Sequence, residues 1–543
     1  MRQAFVAVVL IAFAVLFIRA ARVGLAGDYL DPVAKISAQD EALYSHSAIR
    51  MAQRGDWLTP RFLERFALYK PPLAIWLAGI SAKLLGVSRI ALRLPMILIA
   101  ALGLGLLFLF AAEMRAWQAG AFAVALLLSN RLWMVPASMV LTDGLLAAFE
   151  IAAMYCLFAD PWLESRAAFW GFAVSFAAAV LTKGIAAAPL ALAFALYCVF
   201  APARRRPTVR RALAVIAAAA LFVLPWYAYQ AVVHTRWFFA EHFGLEIFSF
   251  GAGAPPQTTE ENHALFYLKR LVWMDPVLLS LALTALPGWF AELRKRSAEA
   301  TLVACWLAPM LAAVFIWQYR NGTYLIPCLA PMAVAAAVYA PLPNRSGWWT
   351  AALLSASLAM KLAMPAAPWG LSFAAGTIQP AARPLQDYCR MARGNELVVV
   401  DLADDLYAST LPLANLRYAL VSDSMSGGQL TMDFPSMGIT MSAGQFDDFG
   451  KWESHFRAIL RQWGIDSSEP LARLIVAATP AQMMDVVRAH PLMDFFMPDR
   501  YRAAAEAAAG AGHDWAMAPP GYFLLLARRR LPRANPPQWT CAM

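Results

Sequence analysis

The sequence predicts a multi-pass α-helical membrane protein with a small α/β domain after its last span. Three observations carry this. Of 543 residues, 61% are hydrophobic and only 15% are charged, more apolar sequence than a water-soluble core of that length holds. Apolar runs near the ~20 residues needed to cross a bilayer as a helix recur through the first two thirds of the chain. Beyond about residue 365 those runs stop, and short strand-like and amphipathic pieces replace them.

The first run, 4–18, is followed by Arg19 and Arg22 and lacks a small-residue cleavage site, so it reads as a retained span and not a removed signal peptide. Further spans are predicted over 91–112, 116–136, 142–159, 167–183, 185–202, 212–230, 273–291, 299–318, 322–340 and 348–365. Segment 71–86 (PPLAIWLAGISAKLLG) is apolar too, but it is short, opens on two prolines and carries Lys83. The positive-inside rule decides its placement. Arg204, Arg205, Arg206, Arg210 and Arg211 form one basic cluster; Arg294, Lys295 and Arg296 form another. With Met1 inside and 71–86 not crossing, both clusters fall in the cytoplasm, together with Arg115, Arg166 and Arg345. A crossing at 71–86 would put all of them outside. The segment is therefore predicted to be interfacial or re-entrant, which leaves eleven spans, the N-terminus inside and the C-terminus outside.

The same count gathers the remaining polar groups on the outer face. They are the loop 22–90, the Thr142-Asp143 turn, Lys183-Gly184, the loop 231–272, the Tyr319-Arg320-Asn321 turn and everything after about residue 366. In that last part, "ELVVVDLADD" and "GYFLLLARRR" read as strands and "PAQMMDVVRAHPLM" as an amphipathic helix. The chain is thus divided into a membrane domain, 1–365, and an outer α/β domain, 366–543. Ala504 to Gly512 reads equally as a helix or a loose linker.

No dinucleotide or phosphate-loop glycine pattern occurs, and no CxxC or His/Cys metal spacing. Cys156, Cys198, Cys305 and Cys328 fall in predicted spans as small buried hydrophobes. Cys389 and Cys541 share the outer domain, where a disulfide is chemically possible. The net charge of +10 is mostly cytoplasmic arginine beside anionic lipid, so membrane lipid and not nucleic acid is the predicted partner.

Asp40 and Glu41 open a predicted helix over 42–54. Acids there are favoured by capping and by the helix dipole, which accounts for Glu41 more readily than for Asp40. Asp143, at the outer end of span 142–159, is either a helix cap or a second functional carboxylate. Glu150 lies two turns deeper, where an ionisable group marks function or an ion-pair partner. Lys70 precedes Pro71-Pro72, and Lys183 interrupts an apolar stretch in "VLTKGIAAAP". Arg61, Arg131 and Arg320 are further cations on or near the same face. A lone surface lysine commonly only snorkels. Several cations around a partly desolvated pocket suit a phosphate, arginine as a fork and lysine as a point charge. Two carboxylates to orient or deprotonate an acceptor, with cations to receive a phosphate leaving group, are the parts of a group transfer from a lipid phosphate.

"QDEALYSHSAIRMAQRGDWLTPRF…YKPPLAIWL", then "RIALRLPM", "MVLTDGLLAAF" and "LTKGIAAAPLAL", resemble the bacterial aminoarabinose transferases and protein O-mannosyltransferases. These belong to the GT-C superfamily of polyprenyl-phosphate-dependent glycosyltransferases. The similarity runs in order through about residues 1–365. It implies some 11–13 transmembrane helices, interfacial helices in the first outer loop, and an active site on the periplasmic face of the inner membrane. The implied donor is an undecaprenyl-phosphate-linked sugar. By motif position Asp40 resembles the essential first-loop carboxylate, Asp143 the second acid, and Lys70 the lysine on the donor phosphate. Tyr44 and Lys183 match family positions more loosely. "YRNGTYLIP" resembles the late segment that places Tyr324, and with it Arg320, at the cavity. Arg61 joins the phosphate-binding set, and Glu41 and Tyr69 the cavity wall. Aminoarabinose transferases usually carry an acid just before this lysine, whereas here it is Tyr69. That departure weakens both a divalent-metal site through that acid and the aminoarabinose branch itself; no other cofactor is implied. His242 and His263, in the loop 231–272, find no family position.

The reading is a glycosyltransferase that moves a sugar by inverting displacement from a polyprenyl phosphate to lipid A, with another glycolipid or a protein as the alternative acceptor. A transporter would show internal repeats and polar groups at mid-membrane; the sequence has no clear repeat, and its polar groups sit on one face.

Overall fold

The computed structural model describes residues 1–22, 30–31, 36–37, 39–62, 65–239, 241–244, 247, 265–317, 320–341, 347–365, 367, 369–371, 388, 391, 393–400, 416–421, 429–431, 440–442, 474–477, 480–516 and 521–532. Hydrocarbon offers no water to backbone amides, so a crossing segment must close its own hydrogen bonds as a helix. The apolar runs do so. The chain opens with α1 (Arg2–Arg22), followed by α2 (Gln39–Arg54) and α3 (Leu73–Leu85). Next come α4 (Arg89–Met114), α5 (Trp117–Leu128), α6 (Arg131–Ala137), α7 (Thr142–Ala159), α8 (Arg166–Lys183) and α9 (Ala188–Phe200). They are followed by α10 (Val209–Val233), α11 (Thr235–Phe238), α12 (Phe266–Met274), α13 (Pro276–Arg294), α14 (Ala298–Ile316), α15 (Ile326–Tyr339) and α16 (Gly347–Ala363).

Among the described residues eight helical stretches are long and apolar enough to cross a membrane, or nine if α5 and α6 make one span. That count takes Arg166–Phe200 as one stretch of 35 residues, but the packing folds it back on itself. Arg211, beyond α9, donates to the Leu163 carbonyl just before α8 at 2.5 Å, and the Arg205 guanidinium lies 5.9 Å from the Trp162 ring. The reversal falls at Gly184, with φ +55° and ψ −120°, a conformation strained for any residue carrying a Cβ. With both limbs counted, and the 17-residue α16 added, the helices coincide with the eleven segments that the apolar pattern predicts.

One end of the bundle collects the basic turns. Arg115 donates to the Val338 carbonyl at 2.7 Å, and Trp289 stacks on Tyr339, beside the turn holding Arg294 to Arg296. Arg345 lies outside the described residues. At the other end Arg89 donates to the Ala21 carbonyl at 2.7 Å, so α1 finishes where α4 starts. The helix α3 between them therefore does not carry the chain across. This packing agrees with the interfacial placement that the charge pattern predicts.

The predicted span 116–136 is not straight. α5 and α6 meet at 78°, because α5 closes at its C-cap Ser129 and Asn130 caps α6, accepting from the Trp133 amide at 3.0 Å. Buried Lys361 near the end of α16 fills this break. It donates to the Ser129 carbonyl at 2.7 Å and lies 3.4 Å from Asp275, whose other oxygen accepts from Asn130 at 2.8 Å.

After the helices come β1 (Leu397–Val400), β2 (Leu416–Val421), β3 (Leu474–Ala477), α17 (Pro480–Ala489), β4 (Asp494–Pro498), α18 (Arg502–Ala509), β5 (His513–Ala516) and β6 (Tyr522–Ala527). The strands form one sheet in the order β5-β6-β4-β1-β2-β3. β1 runs parallel to β4 and β2, and β2 parallel to β3, while β6 is antiparallel to β4 and β5. α17 and α18 cover one face through Met483, Val487 and Ala505 against Val398, Phe495 and Phe523. The alanine-rich 504–512 is thus helical and not a linker. Cys389 and Cys541 lie outside the described residues.

The contact that ties the helical part together is an ion pair. Arg93 of α4 grips Glu41 of α2 in a fork, Nε to Oε1 and Nη2 to Oε2 both at 2.7 Å, with both side chains fully buried. Glu41 Oε1 also accepts from the Val140 amide at 2.9 Å, and Arg93 Nη1 donates to the Ala20 carbonyl at 2.9 Å. One pair therefore joins α1, α2, α4 and the α6–α7 turn. Breaking such a pair from one side leaves an uncompensated buried charge, at a cost of about 3–5 kcal/mol. Glu41→Gln and Arg93→Met should each lower the thermal unfolding midpoint of the purified protein strongly, and the double variant should lose less than the sum of the two.

Candidate active site

Asp40 and Glu41 are neighbours in the first turn of α2, about 100° apart around the helix axis. Glu41 points inward to Arg93, and Asp40 is exposed. Glu41 was expected to line the cavity. The structure instead buries it with its carboxylate engaged by Arg93 and Val140, because a fully dehydrated acid needs that fork. Tyr44, one turn on, is buried in the apolar core. Since Glu41 holds the backbone of Val140, three residues before Asp143, it brings the N-termini of α2 and α7 to the same place. Asp40 and Asp143 thus both stand at positive helix ends, where a carboxylate is favoured.

Asp143 does not cap α7. The capping position is Leu141, with no side-chain cap. Asp143 pairs instead with Lys183 from the end of α8, Oδ1 to Nζ at 2.5 Å, each side chain about one tenth exposed. Lys183 Nζ also lies 5.1 Å from the centre of the Tyr324 ring, in the 3₁₀ turn Gly322–Leu325. Glu150, deeper in α7, is fully buried, and among the described residues its carboxylate oxygens have no hydrogen-bond partner.

Lys70 reaches this place through two residues that the sequence alone does not single out. Glu241 accepts from the Leu68 amide at 2.6 Å, and His242 Nδ1 lies 3.1 Å from the Tyr69 carbonyl. A carbonyl only accepts, so Nδ1 carries a hydrogen, and the other ring nitrogen, Nε2, lies 3.2 Å from the Tyr227 hydroxyl. His242 also sits against Gly184, where a Cβ would meet its ring at 3.2 Å. The segment carrying Tyr69 and Lys70, both half-buried, is thereby fixed next to the Lys183 turn. The only sign in the sequence is the acid–histidine pair of "EHF" in a long loop, and such pairs are common.

The other predicted cations are less central. Arg61 lies over the Phe66 ring at 4.7 Å and 4.0 Å from Asp56. Arg320 lies 5.4 Å from the centre of the Tyr267 ring, one turn from Tyr324, and the Asn321 amide donates to the Tyr267 oxygen at 3.4 Å. Burial pushes that hydroxyl up to about 12. Arg131 is not a phosphate ligand here. Buried at the start of α6, it donates to the carbonyls of Pro365 and Gly370 at 3.1 and 3.3 Å. His263 lies outside the described residues.

These donors do not suit a divalent metal. Tyr69 stands where an acid would, and both His242 nitrogens and one Glu241 oxygen are spent on protein groups. Among the described residues no three His, Cys, Asp or Glu side chains converge.

Residues 69–229, which hold Lys70, Asp143 and Lys183, match the family described as dolichyl-phosphate-mannose-protein mannosyltransferase. The whole structure superposes on ArnT from Cupriavidus metallidurans in the apo state. The TM-score is 0.65 at 15% identity, covering 96% of this chain and 97% of that one. The undecaprenyl phosphate-bound form of that protein gives 0.64 at 16% identity, with the same coverage. The chain has the GT-C glycosyltransferase fold. An Archaeoglobus fulgidus oligosaccharyltransferase shares this GT-C architecture with a TM-score of 0.50 at 12% identity, over 98% of this chain and 75% of that one. In sequence the chain resembles undecaprenyl phosphate-alpha-4-amino-4-deoxy-L-arabinose arabinosyl transferases. It is 26% identical over 307 residues to those of Pectobacterium carotovorum and Yersinia pestis. The match takes 55% of this chain and 54% of theirs, so the chain spans about half the length of the curated relatives it matches.

A pH effect follows from the edge of the site. His234 lies 3.2 Å from the Thr59 hydroxyl and packs on Phe66. Burial first, then the charge of Arg61, push it down from 6.5 to about 4. The folded state therefore holds His234 neutral, while the unfolded chain takes up a proton near pH 6.5. Its share of stability is complete above that pH and is lost as pH falls towards 4. The unfolding midpoint should drop over that window, and His234→Gln should remove this component of the drop.

Proposed function

We propose that this protein is an inner-membrane glycosyltransferase that moves a sugar from an undecaprenyl-phosphate donor to lipid A or another periplasmic acceptor. The observation that carries the reading is the convergence at one end of the bundle of Asp40, the Asp143–Lys183 pair and the Lys70 segment. Placing the basic turns in the cytoplasm puts this end in the periplasm, together with the outer domain assigned to 366–543. The membrane domain 1–365 then carries the whole reaction.

In the proposed step the acceptor oxygen attacks the sugar C1 from the face opposite the phosphate, with inversion. Asp40, exposed at the positive end of α2, takes the acceptor's proton. The C1–O bond breaks, and its electron pair stays on the phosphate oxygen. Lys70 and Lys183 meet the growing negative charge in a partly dehydrated place, where cations act more strongly than in water. Asp143 supports the arrangement by holding Lys183. Among the described residues the charged groups gather at the ends of the bundle, Glu150 apart, which favours an enzyme over a transporter with a mid-membrane site.

Loss of a general base typically costs 10²–10⁴-fold. Asp40→Asn should therefore abolish detectable sugar addition to envelope glycolipids, read by mass spectrometry of cells carrying the variant, with the protein still folded in the membrane; full activity would sink the assignment. Lys70→Glu should raise the donor concentration needed for transfer, and unchanged donor dependence would remove Lys70 from the phosphate site.

A further inference from the structure

We infer that the Asp143–Lys183 ion pair is a charge switch, closed while the donor is intact and opened by the phosphate as it leaves. This rests on the reading of the site as a prenyl-phosphate sugar transferase and specifies the order of events within it.

Lys183 ends α8 and Asp143 begins α7, so each side chain is carried by a rigid element. The 2.5 Å contact involves one ammonium hydrogen. A second face of the ammonium looks at the Tyr324 ring, 5.1 Å away, and a lysine has three donors. A small movement of Nζ thus exchanges one anion for another without moving either helix. Both side chains keep about one tenth of their surface exposed, so a ligand can reach them, yet the setting is dry enough for charge to decide which anion wins.

The competing charges change during the reaction. A prenyl-phosphate sugar is a phosphodiester with one negative charge, no more than the Asp143 carboxylate offers. When the C1–O bond breaks, the electron pair left on the phosphate oxygen makes a monoester carrying about −1.5 to −2 at neutral pH. Lys183 therefore stays with Asp143 in the ground state and passes to the phosphate as the bond opens. An interaction made only as charge develops accelerates the chemical step, whereas one made equally to the donor does not. The carboxylate of Asp143, released at that moment, becomes an acceptor for hydroxyls beside Asp40. Asp143 is thus a positioning residue whose first partner is a lysine and not the substrate.

The switch predicts a sign that a simple supporting role does not. Undecaprenyl phosphate binding to the full-length protein in lipid nanodiscs is measured for the unmodified chain, Asp143→Asn, Lys183→Gln and the double variant. Removing the competing carboxylate should tighten binding about tenfold, even though Asp143→Asn transfers sugar slowly. Lys183→Gln should weaken binding, and in its background Asp143→Asn should bring no gain. Equal or weaker binding by Asp143→Asn, or a gain that persists without Lys183, overturns the switch while leaving the transferase reading standing. Failure of the unmodified chain to bind undecaprenyl phosphate overturns that reading and the switch with it. A second measurement needs no substitution: the unmodified chain should bind undecaprenyl phosphate more tightly than an undecaprenyl phosphodiester, and equal affinities contradict the switch.

Discussion

The buried fork between Glu41 and Arg93 is the constraint on which the site end of the helical bundle depends. Two charges removed from water are tolerated only when every polar atom is matched, and here the matching reaches four elements. Arg93 holds Glu41 and the Ala20 carbonyl; Glu41 holds Arg93 and the Val140 amide. The helix α2 is thereby fastened to α1, α4 and the α6–α7 turn by groups that have no reason to be there except each other. Apolar packing alone does not set this register, because the surrounding helices present alanine and leucine on several faces.

Asp40 takes its position from this fastening. Adjacent acids on a helix face different ways, so anchoring Glu41 inward leaves Asp40 facing out at the positive end of α2, beside the turn that leads into Asp143. A second fastening does the same for Lys70. Glu241 and His242 hold the Leu68–Tyr69 backbone, and His242 lies against the Gly184 turn that follows Lys183. Asp40 and Lys70 are therefore each placed by neighbours that are assigned no chemistry. The loop residues are held by helix ends and buried hydrogen bonds, which is how a site on connections achieves the rigidity that group transfer requires.

Much of this was legible in the sequence. The apolar runs gave helices within a few residues, since a membrane span has few alternatives, and the arginine clusters identified α3 as a helix that does not cross. Lys183 stood out as a charge that interrupts an apolar stretch, and Asp40, Asp143 and Lys70 by their places in the motifs that carry the family resemblance. What stayed hidden depends on partners far apart in the chain. Glu41 and Arg93 are separated by 52 positions, and Leu68 and Glu241 by 173; no local pattern connects them. Arg131 looked like another site cation until its carbonyl partners beyond α16 came into view. The bend at Asn130 was missed because one capping asparagine inside an apolar run leaves little trace. The partners of Glu241 and His242 stayed hidden for the same reason, since both hold backbone groups of the Leu68–Tyr69 segment far away in the chain.

The central claim is that these residues break a sugar–phosphate bond at the outer membrane face and hand the sugar to an acceptor there. It is tested most directly by reconstituting the purified protein in lipid nanodiscs with an undecaprenyl-phosphate-linked sugar and lipid A, and weighing both lipids by mass spectrometry over time. The claim predicts undecaprenyl phosphate and lipid A one sugar heavier, appearing in equal amounts. If no sugar donor and acceptor pair from the envelope yields undecaprenyl phosphate, or if it appears with no acceptor gaining mass, the claim is contradicted.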